Sequence, residues 1–476
     1  MTYFIKQLIS LQGIRFLLLQ TIMVSGIFSA YAEATESDIG VLSLQMTVKA
    51  AQANDPWLVG NRHSQDAIES LSVAARTLPN LKMAVGLLNL PTDTFDFSQE
   101  PMTQLNVGVS QMFPRGDSLA IRQKQLELVG SQFPFQRQDR RAKVVVSVSR
   151  LWLDAYNAQE SIALIEKNRP LFEQLVDVAE ASYSSALGKT RQQDIIRAQL
   201  ELTQLEDRLT VLRQKLEVSV EKLSEWLSEY FLEEYLDTTT TAAAISWSQL
   251  ALDKELPDIK MLNAPLYSAK NEASPQTLFE YFSQHPLVAA LEQRIKASKT
   301  GIDLARQNYK PEWVVNTSYG YRDADRFGND LADFFSVGAT FDLPLFTANK
   351  QDKELQSAIS QTEAVKTEKW LLVRKMIADF EKSRAKLIRL NERQKLFQIE
   401  LLPQFHEQAE ASLTAYTNDD GDFAEVVRAR IAELNALIDA LKIDVDRQKT
   451  IIELNYFFMT SADDIIAGNR HAGETK

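Results

Sequence analysis

The chain contains no cysteine, which removes disulfides, thiolate metal sites and thiol nucleophiles from consideration. Proline and glycine are scarce, 14 and 16 in 476 residues. Scarce proline suits long regular helices, because its ring removes a backbone donor and clashes with the preceding turn. Basic residues are outnumbered by acidic ones, 52 to 64. The resulting formal charge of −12 argues against nucleic acid as a partner, since phosphate binding needs clustered cations. The four histidines, His63, His285, His406 and His471, are scattered with no pair at helical ligand spacing, so no metal site is expected. There is no Gly-rich phosphate loop and no nucleophile elbow. Carboxylate pairs on solvated helix faces are not acid/base machinery. Neither an enzyme nor a cofactor is expected.

Long hydrophobic runs are also missing. Past the N-terminus no stretch approaches the ~20 apolar residues that a spanning helix needs. If the chain crosses a bilayer, it must do so with strands. The N-terminus itself reads as a cleaved export signal over residues 1–32. Lys6 and Arg15 give the positive region, the run from Phe16 to Ser29 is apolar, and Ala30-Tyr31-Ala32 supplies the small-x-small cleavage pattern. Its removal takes two basic residues and no acidic one, leaving 50 − 64 = −14.

What is present is a duplication. Asn54-Asp55-Pro56 matches Gln284-His285-Pro286, Ala75-Arg76 matches Ala305-Arg306, and Asn106-Val107-Gly108-Val109 matches Ser336-Val337-Gly338-Ala339. Pro114 matches Pro344, and Ala179-Glu180-Ala181-Ser182 recurs at Ala409-Glu410-Ala411-Ser412. All of these share one offset of 230 residues, which chance does not produce. Each half reads as helix, two strands, then a long helical hairpin. The first half predicts a helix over 42–78 and strands over 81–90 and 103–113. The second predicts a helix over 276–309 and strands over 312–322 and 334–343. The domain reading is a first repeat over 33–236, an irregular connector over 237–275, a second repeat over 276–460 and a flexible tail over 461–476.

The strands alternate. Leu105, Val107 and Val109 oppose Asn106, Gly108 and Ser110; Trp313, Val315, Thr317, Tyr319 and Tyr321 oppose Asn316, Ser318 and Gly320. Phe335, Val337, Ala339, Phe341 and Leu343 oppose Ser336, Gly338, Thr340 and Asp342. An apolar face set against a small polar one over about 10 residues is the pattern of a transmembrane barrel strand. A soluble antiparallel sheet with one buried face has the same period. Trp313, Tyr319, Tyr321, Phe334 and Phe335 suit an interfacial girdle.

Helical periodicity dominates the rest. It runs from Ser118 to about Leu187 and from Ala348 to Tyr416, with returning arms from Gln192 to Phe231 and from Phe423 to Phe458. Such lengths imply coiled-coil packing. Pro170 and Pro403 are expected to kink or break the ascending arms. The turns fall at Leu187-Gly188-Lys189-Thr190 and at Thr417-Asn418-Asp419-Asp420-Gly421-Asp422.

Two repeats supply four strands, which cannot close a barrel, and open edges do not persist in lipid. Membrane insertion therefore requires association: two copies give eight strands with a filled interior, three give twelve with room for a lumen.

The element order over residues 42–458 resembles the TolC-like outer-membrane efflux proteins. Tyr183-x4-Gly188-x5-Asp194-Ile195-Ile196-x-Ala198 and Tyr416-x4-Gly421-x3-Glu425-Val426-Val427-x-Ala429 look like that family's hairpin-tip signature. Phe113-Pro114-Arg115-Gly116 and Leu343-Pro344-Leu345-Phe346 look like its strand endings. The resemblance implies an α+β membrane protein, a homotrimer with a 12-stranded β-barrel in the outer membrane of a Gram-negative bacterium, in contact with its lipid. A periplasmic α-helical barrel would continue from it. It implies an exit duct of a tripartite system, whose partners are a periplasmic adaptor and an inner-membrane pump, of RND type by preference. Cargo would pass unchanged. Glu425 falls at the family's acidic ring and Asp194 and Tyr416 at latch positions. Arg428 and Gly421 depart from the family pattern, where an acidic residue and a latch arginine often stand.

From the residues alone, Asp419, Asp420, Asp422 and Glu425 cluster at one tip. Threefold symmetry would make them a cation-favouring ring; equally, they are a solvated turn in which Asp422 caps a helix. Gly188, Lys189 and Gly421 are candidates for the adaptor-docking tips. Gln192-Gln193-Asp194-x2-Arg197-Ala198 and Gly421-Asp422-Phe423 look like the branch serving heavy-metal pumps, though no His or Met cluster accompanies them. A type I secretion channel is an alternative within the same duct. A non-transport periplasmic coiled-coil is the alternative outside it.

Overall fold

The structure is a computed structural model that describes residues 41–184, 191–227, 251–267, 274–418 and 420–458. The expected export signal, Gly188, Lys189, Asp419, much of the connector and the C-terminal tail lie outside the described residues. Chain order begins with a two-residue strand β1 (Val41–Leu42), α1 (Leu44–Ala53) and α2 (Pro56–Ala75). Strands β2 (Lys82–Leu88) and β3 (Gln104–Phe113) follow, then α3 (Ser118–Gly130), α4 (Phe133–Ser184) and α5 (Gln192–Leu227). The second half has β4 (Ala251–Leu252), α6 (Pro275–Ser283), α7 (Pro286–Gln307), β5 (Trp313–Tyr321) and β6 (Phe334–Phe341). It closes with α8 (Gln351–Leu396), α9 (Leu402–Thr417) and α10 (Phe423–Asn455).

Each repeat was expected to open on one continuous helix, and each opens on two. The matched triplets Asn54-Asp55-Pro56 and Gln284-His285-Pro286 are helix starts. Asp55 accepts from Trp57 N, His285 accepts from Leu287 N, and a proline follows each at the first helical position. A residue before proline is pushed out of the helical region, and the proline nitrogen has no proton to leave unsatisfied. This match between the halves is therefore a capping device.

The four strands form one antiparallel sheet in the order β2-β3-β5-β6. Its central pairing, β3 with β5, joins the two repeats, with Leu105 opposite Tyr321 and Phe113 opposite Trp313. Every strand runs on into a helix. Helices α2, α3, α7 and α8 pack side by side in the same lateral order as the strands they adjoin. Arg115 ties this junction, donating to Lys310 O at 2.9 Å and pairing with Asp342, while Glu312 N donates to Asp342 Oδ1 at 2.7 Å.

Beyond the junction stand two hairpins, α4 with α5 and α8–α9 with α10. At 1.5 Å per residue, the 52 residues of α4 span about 78 Å. The break expected at Pro170 does not occur; α4 passes through it. At Pro403 the arm does change, through a π turn over Phe397–Leu401 that leads into α9 with the proline at its start. A widened turn absorbs the missing donor. A break that was not expected separates α3 from α4, where Phe133-Pro134 restarts the helix.

Two apolar cores hold the helices. One lies beyond the ends of α2 and α7 remote from the sheet, around Trp152, Leu153, Phe282, Phe380, Leu387 and Ile451. The Trp152 indole donates to Leu42 O at 2.9 Å and its ring stacks on Tyr156. The other runs down the hairpins through Ile165, Phe172, Leu209, Val426, Val427 and Leu434. Of the positions read as one apolar stripe, Leu205, Leu209, Leu212 and Leu223 are buried but Leu200 is exposed. Five residues before Leu205, it lies well off the seam at 3.6 residues per turn.

Candidate functional site

The sheet is the first element with functional geometry. Pairing aligns its side chains into rows on one face: Val85, Val107, Tyr319 and Phe335; Met83, Val109, Thr317 and Val337; and Phe113, Trp313 and Phe341. These residues are apolar apart from Thr317 and the tyrosine hydroxyl, and no other part of the described chain covers them. Met83 is 72% exposed, Val85 70% and Phe335 70%. A soluble sheet buries such a face; here it is the outer surface, far beyond the scattered exposed apolar residues of an ordinary monomer. Aromatics stand at both ends of it. Trp313 and Phe341 pack 4.8 Å apart beside the helices, and Tyr319, Tyr321 and Phe335 lie toward the loops. The nine residues of β5 cover about 26 Å from Trp313 to Tyr321, the length at which a tilted strand spans a membrane barrel.

The opposite face carries Asn106, Gly108, Ser110, Asn316, Ser318, Ser336, Gly338 and Thr340. It is small, polar and uncharged along its middle. One expected girdle residue belongs here instead: Phe334 pairs with Gly320, which puts it on the polar face, with the Arg322 guanidinium 3.9 Å over its ring. Adjacent residues of a strand point to opposite faces, so Phe334 and Phe335 cannot share one girdle. Strands β2 and β6 each pair on one side only, leaving two open edges.

The second element is the tip between α9 and α10. Asp422 caps α10, accepting from Ala424 N at 3.2 Å. Glu425 and Arg428, one turn apart, form an ion pair at 2.7 Å, and both are exposed. The pair cancels the net charge that Glu425 would bring to a ring. Asp420 N donates to Ala415 O at 2.9 Å, which folds the turn back on α9. Gly421 sits where a Cβ would lie 2.6 Å from Tyr416 N and 2.8 Å from Ala415 C. Only glycine permits that approach of two backbones. The Tyr416 ring meets Phe423 edge-on at 5.6 Å. Asp194, on the neighbouring hairpin, is buried and accepts from Arg191 N at 2.9 Å, which closes the first turn of α5. Tyr416, Phe423, Ile195 and Ala198 belong to one apolar cluster, so the start of α5 meets the α9–α10 turn.

Sequence reasoning missed two polar assemblies. Arg430 is buried between α9 and α10, donating to Glu410 at 2.6 Å and Glu433 at 2.9 Å, while Glu433 also meets His406 Nδ1 at 2.6 Å. The signal was available: Arg430 lies on the stripe between Val427 and Leu434. The second assembly joins the halves at the end of α7 remote from the sheet. His285 Nε2 lies 3.2 Å from Tyr456 O, the Tyr456 hydroxyl donates to Asp139 at 2.6 Å, and Lys143 pairs with Asp139 at 2.7 Å. Burial pushes the His285 pKa down and the Tyr456 pKa up. Distance in sequence hid this assembly, since its partners come from three separate elements, the start of α7, the end of α10 and α4.

No described helix is long and apolar enough to cross a membrane. No group of three or more His, Asp or Glu among the described residues could hold a metal ion. No protein-family model matches the chain, and no curated protein matches it. Solved structures do match. The Campylobacter jejuni CmeC outer membrane channel aligns over 90% of this chain and 90% of its own, at 10% identity and a TM-score of 0.68. The channel-forming CusC aligns over 87% and 91%, at 14% identity and a TM-score of 0.67. The open state of the Neisseria gonorrhoeae MtrE outer membrane channel aligns over 87% and 88%, at 14% identity and a TM-score of 0.62. This chain therefore has the fold of these outer-membrane channels over most of its length.

Proposed function

We propose that this protein is the outer-membrane exit duct of a tripartite efflux system in a Gram-negative bacterium. Three copies pair β6 of one sheet with β2 of the next, closing twelve strands around a lumen lined by the small polar face. The α-helices continue the wall through the periplasm. An adaptor and an inner-membrane pump engage the hairpin tips, and cargo passes without chemical change. The observation that carries this reading is the sheet: one exposed apolar face with strands of transmembrane length, a mostly small and polar face behind it, and two unpaired edges. The fold shared with outer-membrane channels of several bacteria supports it. The acidic tip residues, Asp420, Asp422 and Glu425, would face the periplasmic mouth, with Gly421 shaping it.

The test is extraction. The protein is expected to stay in the membrane through alkaline carbonate, to leave it in detergent with the mass of three chains, and to bring a periplasmic adaptor with it after cross-linking. Release by carbonate as a single chain would overturn the duct and favour a soluble coiled-coil.

A further inference from the structure

The polar face of the sheet is not uniform. Along its middle it carries Asn, Ser, Thr and Gly, but at the end away from the helices its side chains become large. There Leu88 pairs with Gln104, and Phe334 pairs with Gly320. The Gln104 side chain folds across Gly320, where a Cβ would stand 1.7 Å from Gln104 Oε1, so the glycine makes room for the amide. Arg322 completes the row. Its guanidinium covers the Phe334 ring at 3.9 Å, its Nη1 donates to Pro101 O at 3.0 Å, and its Nε donates to Ala332 O at 2.7 Å. Pro101 belongs to the loop from β2 to β3 and Ala332 to the loop from β5 to β6, so one side chain braces both loops. Arg326 adds a bond to Gln99 O at 3.2 Å. An aromatic ring held under a braced guanidinium is a fixed obstacle, since neither can swing aside without breaking several bonds.

We infer that Leu88, Gln104, Phe334 and Arg322 form a rigid collar at the outer end of the lumen and set the largest cross-section that can pass there. The inference rests on the duct reading. Twelve strands about 4.8 Å apart and tilted about 40° enclose a backbone-to-backbone diameter of about 24 Å. Serine and glycine take little of that width. Phenylalanine and arginine, reaching in by roughly 6 Å from opposite walls, leave about 12 Å. The cargo class is then compact molecules, single small molecules or extended peptides, and folded protein is excluded.

The absence of cysteine makes the test direct. In intact cells making the full chain, Ser318→Cys puts a thiol on the polar face below the collar, and Thr317→Cys puts one on the apolar face. A small charged methanethiosulfonate and a maleimide carried on a polyethylene glycol chain are added outside. Ser318→Cys alone should react with the small reagent and resist the large one. Adding Phe334→Ser should raise the large reagent's rate about tenfold, as where pore width controls entry, and leave the small reagent's rate unchanged. If Phe334→Ser fails to assemble, Leu88→Ser, in the next row outward on the same face, should raise it by a smaller factor. Equal rates for the large reagent with and without these substitutions would overturn the collar while leaving the duct intact. Reaction of both water-soluble reagents at Thr317→Cys but not at Ser318→Cys would overturn the duct itself.

Discussion

Placing one arginine on either face of β3 separates a membrane sheet from a soluble one. Val109 lies in the middle row of the apolar face, opposite Met83 and Thr317 on its two neighbours. Its neighbour Ser110 points to the other face. In a barrel, Val109→Arg carries a guanidinium to the bilayer midplane at a cost of about 2–4 kcal/mol per copy. That is about 30- to 700-fold in the folding equilibrium of each copy, before the cost is multiplied over the assembly. Ser110→Arg enters a water-filled lumen, where it meets only the like charge of Lys82 on the adjacent strand, and should cost no more than about 1 kcal/mol. Urea titration of protein folded into lipid vesicles, followed by tryptophan emission, reads both. Trp313 sits in the sheet at the helix end and reports on it directly. Equal stability for Val109→Arg and wild type would refute the reasoning, and so would equal losses for the two variants.

Other predictions are more local. His285 is buried and its pKa is held below the ordinary value of 6.5, so the unfolded chain binds its proton first as pH falls. Its contribution is intact above about pH 6.5 and is lost below it, at up to about 1.4 kcal/mol per pH unit, until the folded-state pKa is reached. His285→Asn keeps a capping side chain and should flatten that part of a thermal-stability profile; an unchanged profile would assign the pH dependence elsewhere. Asp55 caps α2 and holds Arg140 through two bonds, 2.7 and 3.2 Å, with its own side chain buried. Asp55→Ala should cost about 3 kcal/mol, the low end for breaking a buried pair because Arg140 keeps some access to water, and a loss below ~1 kcal/mol in calorimetry would contradict this. Gly421→Val should disturb the α9–α10 turn, because the new side chain meets backbone and not a movable side chain; proteolysis at the tip should increase while the assembly survives. Glu425→Ala with Asp422→Ala should alter cation selectivity in a planar bilayer, and unchanged currents would remove both from the conduction path.

The strands were legible almost to the residue. The expected spans 81–90, 103–113, 312–322 and 334–343 contain the observed 82–88, 104–113, 313–321 and 334–341. A period of two with an apolar and a small polar face needs no tertiary information to be read. Helix limits were less legible. Two breaks hid inside the very triplets that revealed the duplication, because a cap plus proline does not interrupt apolar periodicity. At Pro170 the expected break does not occur, because one missing donor does not end a helix held on both sides by long runs of intact turns. Phe334 was assigned with Phe335 although neighbours on a strand must diverge, and only the pairing with Gly320 fixes its side. At the tip, the caps at Asp194 and Asp422 follow local rules. The need for glycine at 421 depends on how close α10 brings the turn to Tyr416, which no local pattern encodes.

The central claim is that an exposed apolar sheet of four strands becomes a closed, water-filled duct when copies of this chain associate. Single-channel recording tests it most directly. Purified full-length protein added to a planar bilayer should insert spontaneously and give discrete, ohmic conductance steps at the mass of three chains. A preparation of that mass that inserts without conducting, or a single chain that conducts alone, would contradict the account.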